Sequence, residues 1–262
     1  MRNPLIDMRI VPKTAIGILL VIIFTTSNTF SQEQPQQLDS LITNELNSID
    51  LNKSDTLSPW ATYYYIPFVA HNESGIPLLD GNQNPTGLKL KPEDWCKAAI
   101  EGTVSIKKDQ DNYLLNYAGR SEELQYDCRK CSRYKNYAGY EKTGKVLWGK
   151  TTGFGKGVRN FNLVPYRSIA VDPSLLPYGS ILYIPAAKGL KYTGTNGEVK
   201  NHDGLFLAAD NGSQIIGNHI DIFIGTSQNS EWSFIKSKPS ATFKTYLISN
   251  DKISSWLLKM HQ

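Results

Sequence analysis

The feature that most restricts this chain is the shortness of its apolar segments after Gly102. Thr103–Ile106, Asn112–Tyr117, Lys145–Trp148, Ser168–Val171, Ser180–Pro185, Leu205–Ala209, His219–Ile224 and Ala241–Ile248 each stand between Gly, Pro or Asn residues. Each run has strand length and falls short of an ordinary helix. Ahead of them Ala61–Val69 (ATYYYIPFV) is rich in aromatic and β-branched residues, which also favour a strand. Pro92–Ile100 is the best helix, with Pro and two acids at its start and Gly102 just past its end. The pattern predicts a mainly β chain, a compact barrel with one or two short helices, and it shows no internal repeat.

The chain has 262 residues, of which 40% are hydrophobic and 20% charged, with a mean hydropathy of −0.35. That profile excludes a disordered tail, a collagen-like repeat and a polytopic membrane protein. Residues 1–31 carry Arg2, Arg9 and Lys13 ahead of the apolar run Ala15–Phe24, and small or polar residues follow. That run is about half the roughly 20 residues a bilayer span needs, so a secretory signal peptide is expected. No cysteine stands near the expected cleavage point, so a lipoprotein anchor is not expected. Export to the periplasm or the outer-membrane surface follows. Residues 32–57 read as a polar linker, or at most a short amphipathic helix near Leu38–Ile49. Residues 58–250 read as one globular domain and 251–262 as a C-terminal tail. Without residues 1–31 the formal charge falls from +4 to +2, which gives no electrostatic case for nucleic acid.

In an exported chain Cys96, Cys128 and Cys131 read as one structural disulfide with one thiol left over, the pairing open. Cys128 and Cys131 have C-x-x-C spacing, but no second half-site follows to complete a zinc site. The four histidines form no helix-spaced pair, so neither metal nor cofactor is expected. Gly144–Thr151 fits the phosphate-loop pattern G-x4-G-K-[ST]. Its intervening residues are bulky and apolar and nothing helical follows, so no nucleotide is expected.

Three aspartates mark strand ends or interiors. Asp172 ends Ser168–Val171, Asp210 ends Leu205–Ala209, and Asp221 lies inside His219–Ile224. Alternation sends Ile220, Ile222 and Ile224 toward a core and leaves Asp221 with Phe223 facing a surface or cleft. A carboxyl group among other carboxylates and apolar rings is raised in pKa, as a general acid requires. Capping a turn is an equally good reading of Asp172 and Asp210, and a poorer one of Asp221.

The stretch Leu163–Pro185, LVPYRSIAVDPSLLPYGSILYIP, resembles the first half of the 3D domain, named for its three aspartates. Gly204–Gly225, GLFLAADNGSQIIGNHIDIFIG, resembles the second half. The pattern, with a core at 161–226, is similar to the catalytic domain of the membrane-bound lytic transglycosylase A family. Ala61–Pro67 also resembles that family's first strand. The resemblance implies a six-stranded double-psi β-barrel that cleaves peptidoglycan between N-acetylmuramic acid and N-acetylglucosamine, as a monomer. It makes Asp221 the general acid and base, with Asp210 and Asp172 in support. Trp60, Tyr63 and Tyr64 are candidates for sugar stacking, and Arg167, Gly212 and Gln214 for substrate contacts. Asn211 and Ser213 stand where the family has Thr and Gly, and residues 107–160 resemble nothing in it. Two other readings compete: a wall-loosening barrel of the expansin kind without turnover, and a homodimeric aspartic protease built on Asp210-Asn-Gly-Ser.

Overall fold

The computed structural model describes residues 35–194, 197–226, 229 and 231–262. The signal peptide read over residues 1–31 lies outside them. No helix among the described residues is long and apolar enough to cross a membrane.

Seven strands form a mixed sheet in the order Thr56–Leu57, Thr245–Ile248, Ile181–Tyr183, Leu205–Asp210, Ser168–Ala170, His219–Thr226 and Trp60–Ile66. Ile169, Ala208, Ile220, Ile222 and Ile224 point to one face and form its main core with Phe206 and Trp232. On the opposite face Leu205, Leu207 and Ala209 pack against two helices. Pro35–Ser48 contributes Ile42 and Leu46, and Asp251–Met260 contributes Ile253, Trp256 and Leu257. Residues 251–262, read as a tail, are therefore mostly a docked helix. Asn250 caps it by accepting from the backbone N–H groups of Lys252 and Ile253. Ile253, Trp256 and Leu257 have the i, i+3, i+4 spacing of a buried helical face. The stretch 32–57, read as a polar linker or at most a short amphipathic helix near Leu38–Ile49, contains a helix of 14 residues, Pro35–Ser48.

A second sheet has the order Phe68–Ala70, Thr103–Lys108, Asp111–Arg120 and Val146–Lys150. It packs on the helix Pro92–Glu101 around its own core, in which Trp95, Ile106 and Trp148 are buried. Cys96 on that helix pairs with Cys128, and Cys131 is a buried free thiol. Residues 107–160 make up most of this unit. Val146–Lys150 of the phosphate-loop pattern is one of its strands, with Gly149 opposite Asn116.

The mainly β expectation holds, and the described residues show no closed six-stranded barrel. Thr56–Leu57 and Trp60–Ile66 are opposite edges of an open sheet among the described residues, and closure would need edge strands to bond to each other. Pro67 supplies part of the reason. It has no N–H for a ladder and divides the ATYYYIPFV run: Trp60–Ile66 belongs to the first sheet, Phe68–Ala70 to the second. The fold is mainly β, and among the described residues these two larger sheets are joined by two two-stranded ones. Among the described residues four α-helices accompany them, where one or two were expected.

Candidate active site

The two sheets leave a cleft of about 810 Å³ between them. Its floor is a row of register partners running across the first sheet. Asp210 opposes Ala170, Ala170 opposes Asp221, and Asp221 opposes Thr62. The methyl group of Ala170 leaves open space between the two carboxyl groups. Strands lie roughly 4.8 Å apart, so the lines carrying Asp210 and Asp221 are roughly 10 Å apart.

A bulge aims Asp210 into this row. Strict alternation would turn Asp210 into the main core with Phe206 and Ala208. The register shifts between Ala208 and Asp210, so Ala209 packs toward the helices while Asp210 shares the face of Tyr64 and Asp221.

Asp221 Oδ1 accepts a hydrogen bond of 2.7 Å from the Thr62 hydroxyl. Burial raises its pKa to about 7, against the Thr62 hydrogen bond, and the neighbouring Asp210 charge adds to the rise. Burial raises Asp210 to about 6 despite hydrogen bonds from the Asn211 N–H and the Tyr64 hydroxyl, each 2.9 Å. A third carboxyl group, Glu101, lines the cleft from the end of Pro92–Glu101. Burial raises it to about 8, with Asp221 adding to the rise and the Tyr65 N–H, at 3.0 Å, opposing it. Its position at a helix C-terminus also disfavours an anion.

Thr62 links Asp221 to a second group. Its hydroxyl lies 2.9 Å from Nε2 of His219, whose ring stacks on Trp60 at 3.7 Å and 8°. Burial lowers the His219 pKa, so the ring is neutral near pH 7. A neutral imidazole has one N–H and Thr62 one proton. When Asp221 is a carboxylate Thr62 donates to it, and Nε2–H then donates to Thr62. When Asp221 is protonated the chain can reverse, and Nδ1–H turns to the Gln214 carbonyl 3.3 Å away.

The other expected site residues divide between the cleft and the frame. Tyr64 and Gly212 line the cleft. Tyr63 does not: alternation along Trp60–Ile66 puts it on the main-core side beside Tyr65. Trp60 is engaged by His219 and lies outside the lining. Gln214 also lies outside it; its side chain bonds the Ser213 carbonyl. Arg167 is buried at 6% exposure and is bound to Asp203, the Leu205 carbonyl and the Tyr192 hydroxyl, so it braces the interior. Asp172 accepts from the Ser174 N–H and hydroxyl and from the Gly217 N–H at 2.7 Å. These bonds hold its pKa below the usual carboxylate value and clamp the loop between the Asp210 and Asp221 strands. Asp172 therefore caps turns and does not line the cleft.

The opposite wall was invisible in the sequence. It includes Tyr117 and Arg120 at the end of Asp111–Arg120, Lys142 of the short helix Tyr140–Thr143, and Lys156. Gly155 brings the Lys156 loop against the second sheet and Gly157 brings it against the floor. Gly155 has φ +88°, and a Cβ there would sit 2.4 Å from Oδ1 of Asn116. A Cβ on Gly157 would lie 2.2 Å from the Ala209 carbonyl oxygen.

Among the described residues no group of three or more His, Cys, Asp or Glu side chains is arranged to hold a metal ion.

No curated protein matches the chain. Among solved structures it is similar to MltA of Escherichia coli with bound chitohexaose, at 17% identity and a TM-score of 0.47, covering 74% of this chain and 72% of that one. A membrane-bound lytic murein transglycosylase of Agrobacterium tumefaciens gives 13% and 0.46, covering 79% of each chain. MltA of Neisseria gonorrhoeae gives 12% and 0.43, covering 75% of this chain and 74% of that one. At such identities neither an activity nor a residue's role transfers. The family model of the 3D domain matches residues 167–237, a stretch that holds Asp172, Asp210 and Asp221.

Proposed function

We propose that the chain is a lytic transglycosylase that cleaves peptidoglycan between N-acetylmuramic acid and N-acetylglucosamine, with Asp221 as its acid and base. The observation that carries this reading is a buried carboxyl group with a pKa of about 7 on the floor of a cleft, inside the 3D-domain match. Near neutral pH such a group has a proton to give and, once ionised, can take one back.

Asp221 protonates the glycosidic oxygen and the leaving sugar departs. The resulting carboxylate removes the proton from the muramoyl 6-hydroxyl, whose oxygen closes on C1 to give the 1,6-anhydro product. The nucleophile belongs to the substrate, so the second carboxylate that activates water or attacks C1 in most glycosidases is not required. Thr62 orients Asp221 and stabilises its anionic form. Asp210 raises the Asp221 pKa by its charge, and Asp172 holds the loop between them. One chain supplies all three aspartates, which favours a monomer over the dimer an aspartic protease would need. The substrate places the protein in the periplasm or at the outer membrane, in cell-wall turnover.

A hydrolase is the second reading, favoured by Glu101 and Asp210 in the same cleft as Asp221. Digestion of purified peptidoglycan by the wild type and by Asp221→Asn, with products weighed by mass spectrometry, separates the cases. Anhydro-muropeptides from the wild type alone support the transglycosylase. Products that have gained water identify a hydrolase. Absence of cleavage with retained co-sedimentation would leave a binding module of the expansin kind.

A further inference from the structure

The cleft is chemically two-sided. Its floor and the Pro92–Glu101 end carry Asp210, Asp221 and Glu101, and the facing wall carries Arg120, Lys142 and Lys156. The strand Asp111–Arg120 organises that wall. Arg120 Nε donates to the Lys142 carbonyl at 3.2 Å, and its guanidinium lies 5.1 Å from the Tyr117 ring centroid. The Asn116 side chain holds the Lys156 backbone at both ends, accepting from its N–H at 3.1 Å and donating to its carbonyl at 3.1 Å. Among the described residues none of the three cations has a carboxylate within ion-pair distance. Glu141, next to Lys142, accepts from the Tyr140 hydroxyl instead.

The opposed acids do not cancel this charge. Burial holds Asp210 near 6, Asp221 near 7 and Glu101 near 8, so at pH 7 Asp210 is mostly ionised, Asp221 about half and Glu101 mostly protonated, fewer than two negative charges against three cations. A neutral sugar polymer offers such a wall nothing to pair with.

We propose that Arg120, Lys142 and Lys156 form a carboxylate-receiving wall that makes the cleft selective for acidic glycan strands over neutral ones. The inference rests on the glycan-cleaving reading above and specifies its substrate class. Muramic acid offers carboxylates from two sources, the lactyl group of peptide-free residues and the stem peptide. Each exposed ion pair contributes roughly two- to threefold in affinity, so three together give about tenfold.

The test is co-sedimentation of the Asp221→Asn protein with three insoluble preparations: peptide-bearing peptidoglycan, peptide-stripped strands with free lactyl carboxylates, and stripped strands whose carboxylates have been converted to amides. The expected result is about tenfold weaker binding to the amidated strands, with a difference that shrinks as salt rises. A loss already present on stripping would assign the pairing to the stem peptide. The triple variant Arg120→Gln, Lys142→Gln, Lys156→Gln, added to Asp221→Asn, should bring the ratio between acidic and amidated strands close to one. The salt dependence, read on the chain with its wall intact, guards against a variant that folds poorly. Equal binding to acidic and amidated strands at low salt would overturn the proposal, as would undiminished discrimination by the folded triple variant. A preference for acidic strands without anhydro products from the wild type would sink the transglycosylase reading and leave the wall standing.

Discussion

Thr62 and Asp221 are register partners on adjacent parallel strands, and the threonine hydroxyl donates to the carboxylate across 2.7 Å. The bond stabilises the anion, so it opposes the burial that raises the Asp221 pKa. Thr62→Val keeps the shape and removes the donor. A hydrogen bond to a charged group is worth about 1.5–3 kcal/mol, or roughly one to two pH units. The alkaline limb of the kcat/KM profile should move upward by that amount. An unmoved limb would show that Thr62 does not act on Asp221.

Asp210→Asn should move the same limb the other way. Removing a neighbouring negative charge favours the Asp221 carboxylate and lowers its pKa. A pH–rate profile with the limb displaced to lower pH is the expected outcome, with residual activity well above that of Asp221→Asn. Loss of the general acid typically costs about 10²–10⁴-fold.

Stability should fall as pH rises through the cleft's titration window. Asp210, Asp221 and Glu101 bind protons more tightly folded, near 6, 7 and 8, than unfolded, where carboxyl groups titrate at about 4. Between about pH 4 and 8 the native state therefore holds more protons than the unfolded chain, so the slope of unfolding free energy against pH is negative there. Thermal unfolding scans from pH 5 to 8 should show a decreasing Tm from these groups. The decrease should be shallower in Asp221→Asn.

Arg167 should prove to be a brace. Its guanidinium is buried, lies 5.1 Å from the Trp256 ring centroid and pairs with Asp203. Although burial alone would raise Asp203, the Arg167 charge holds its carboxyl below the usual value. Arg167→Met leaves that carboxylate unpaired, at a cost of about 3–5 kcal/mol. Denaturant unfolding should register the loss, while the activity per folded molecule changes little. A large fall in kcat with full stability would return Arg167 to the substrate.

The Cys96–Cys128 disulfide closes a loop of sequence separation 32. Its removal by Cys96→Ala with Cys128→Ala should cost about 2–4 kcal/mol. Peptide mapping of the oxidised protein should find this pair, with Cys131 alkylated only after unfolding.

Strand parity made one part of the site legible from residues alone: Ile220, Ile222 and Ile224 are core residues, and Asp221 is on the other face. Phe223 shares the Asp221 face but is covered by Tyr64 and Phe154, because a second unit packs over it. Parity failed at Asp210, where a bulge adds a residue that periodicity does not reveal. Along Trp60–Ile66 parity separates Tyr63, on the main-core side, from Tyr64 in the cleft. Glu101, Arg120, Lys142 and Lys156 could not be found from local sequence. They meet the aspartates only through the docking of the two sheets, which is a long-range property. The pairing of Cys96 with Cys128 is also long-range, a helix meeting a distant turn inside the second unit.

Pro67 joins the walls of the cleft more directly than any other point of the chain. Ile66 ends a strand of the floor sheet, and Phe68 begins one of the sheet opposite. Consecutive Cα atoms are about 3.8 Å apart, so at that corner the walls have almost no slack for sliding past one another. Rotation about the corner is still permitted, and it would part them like jaws.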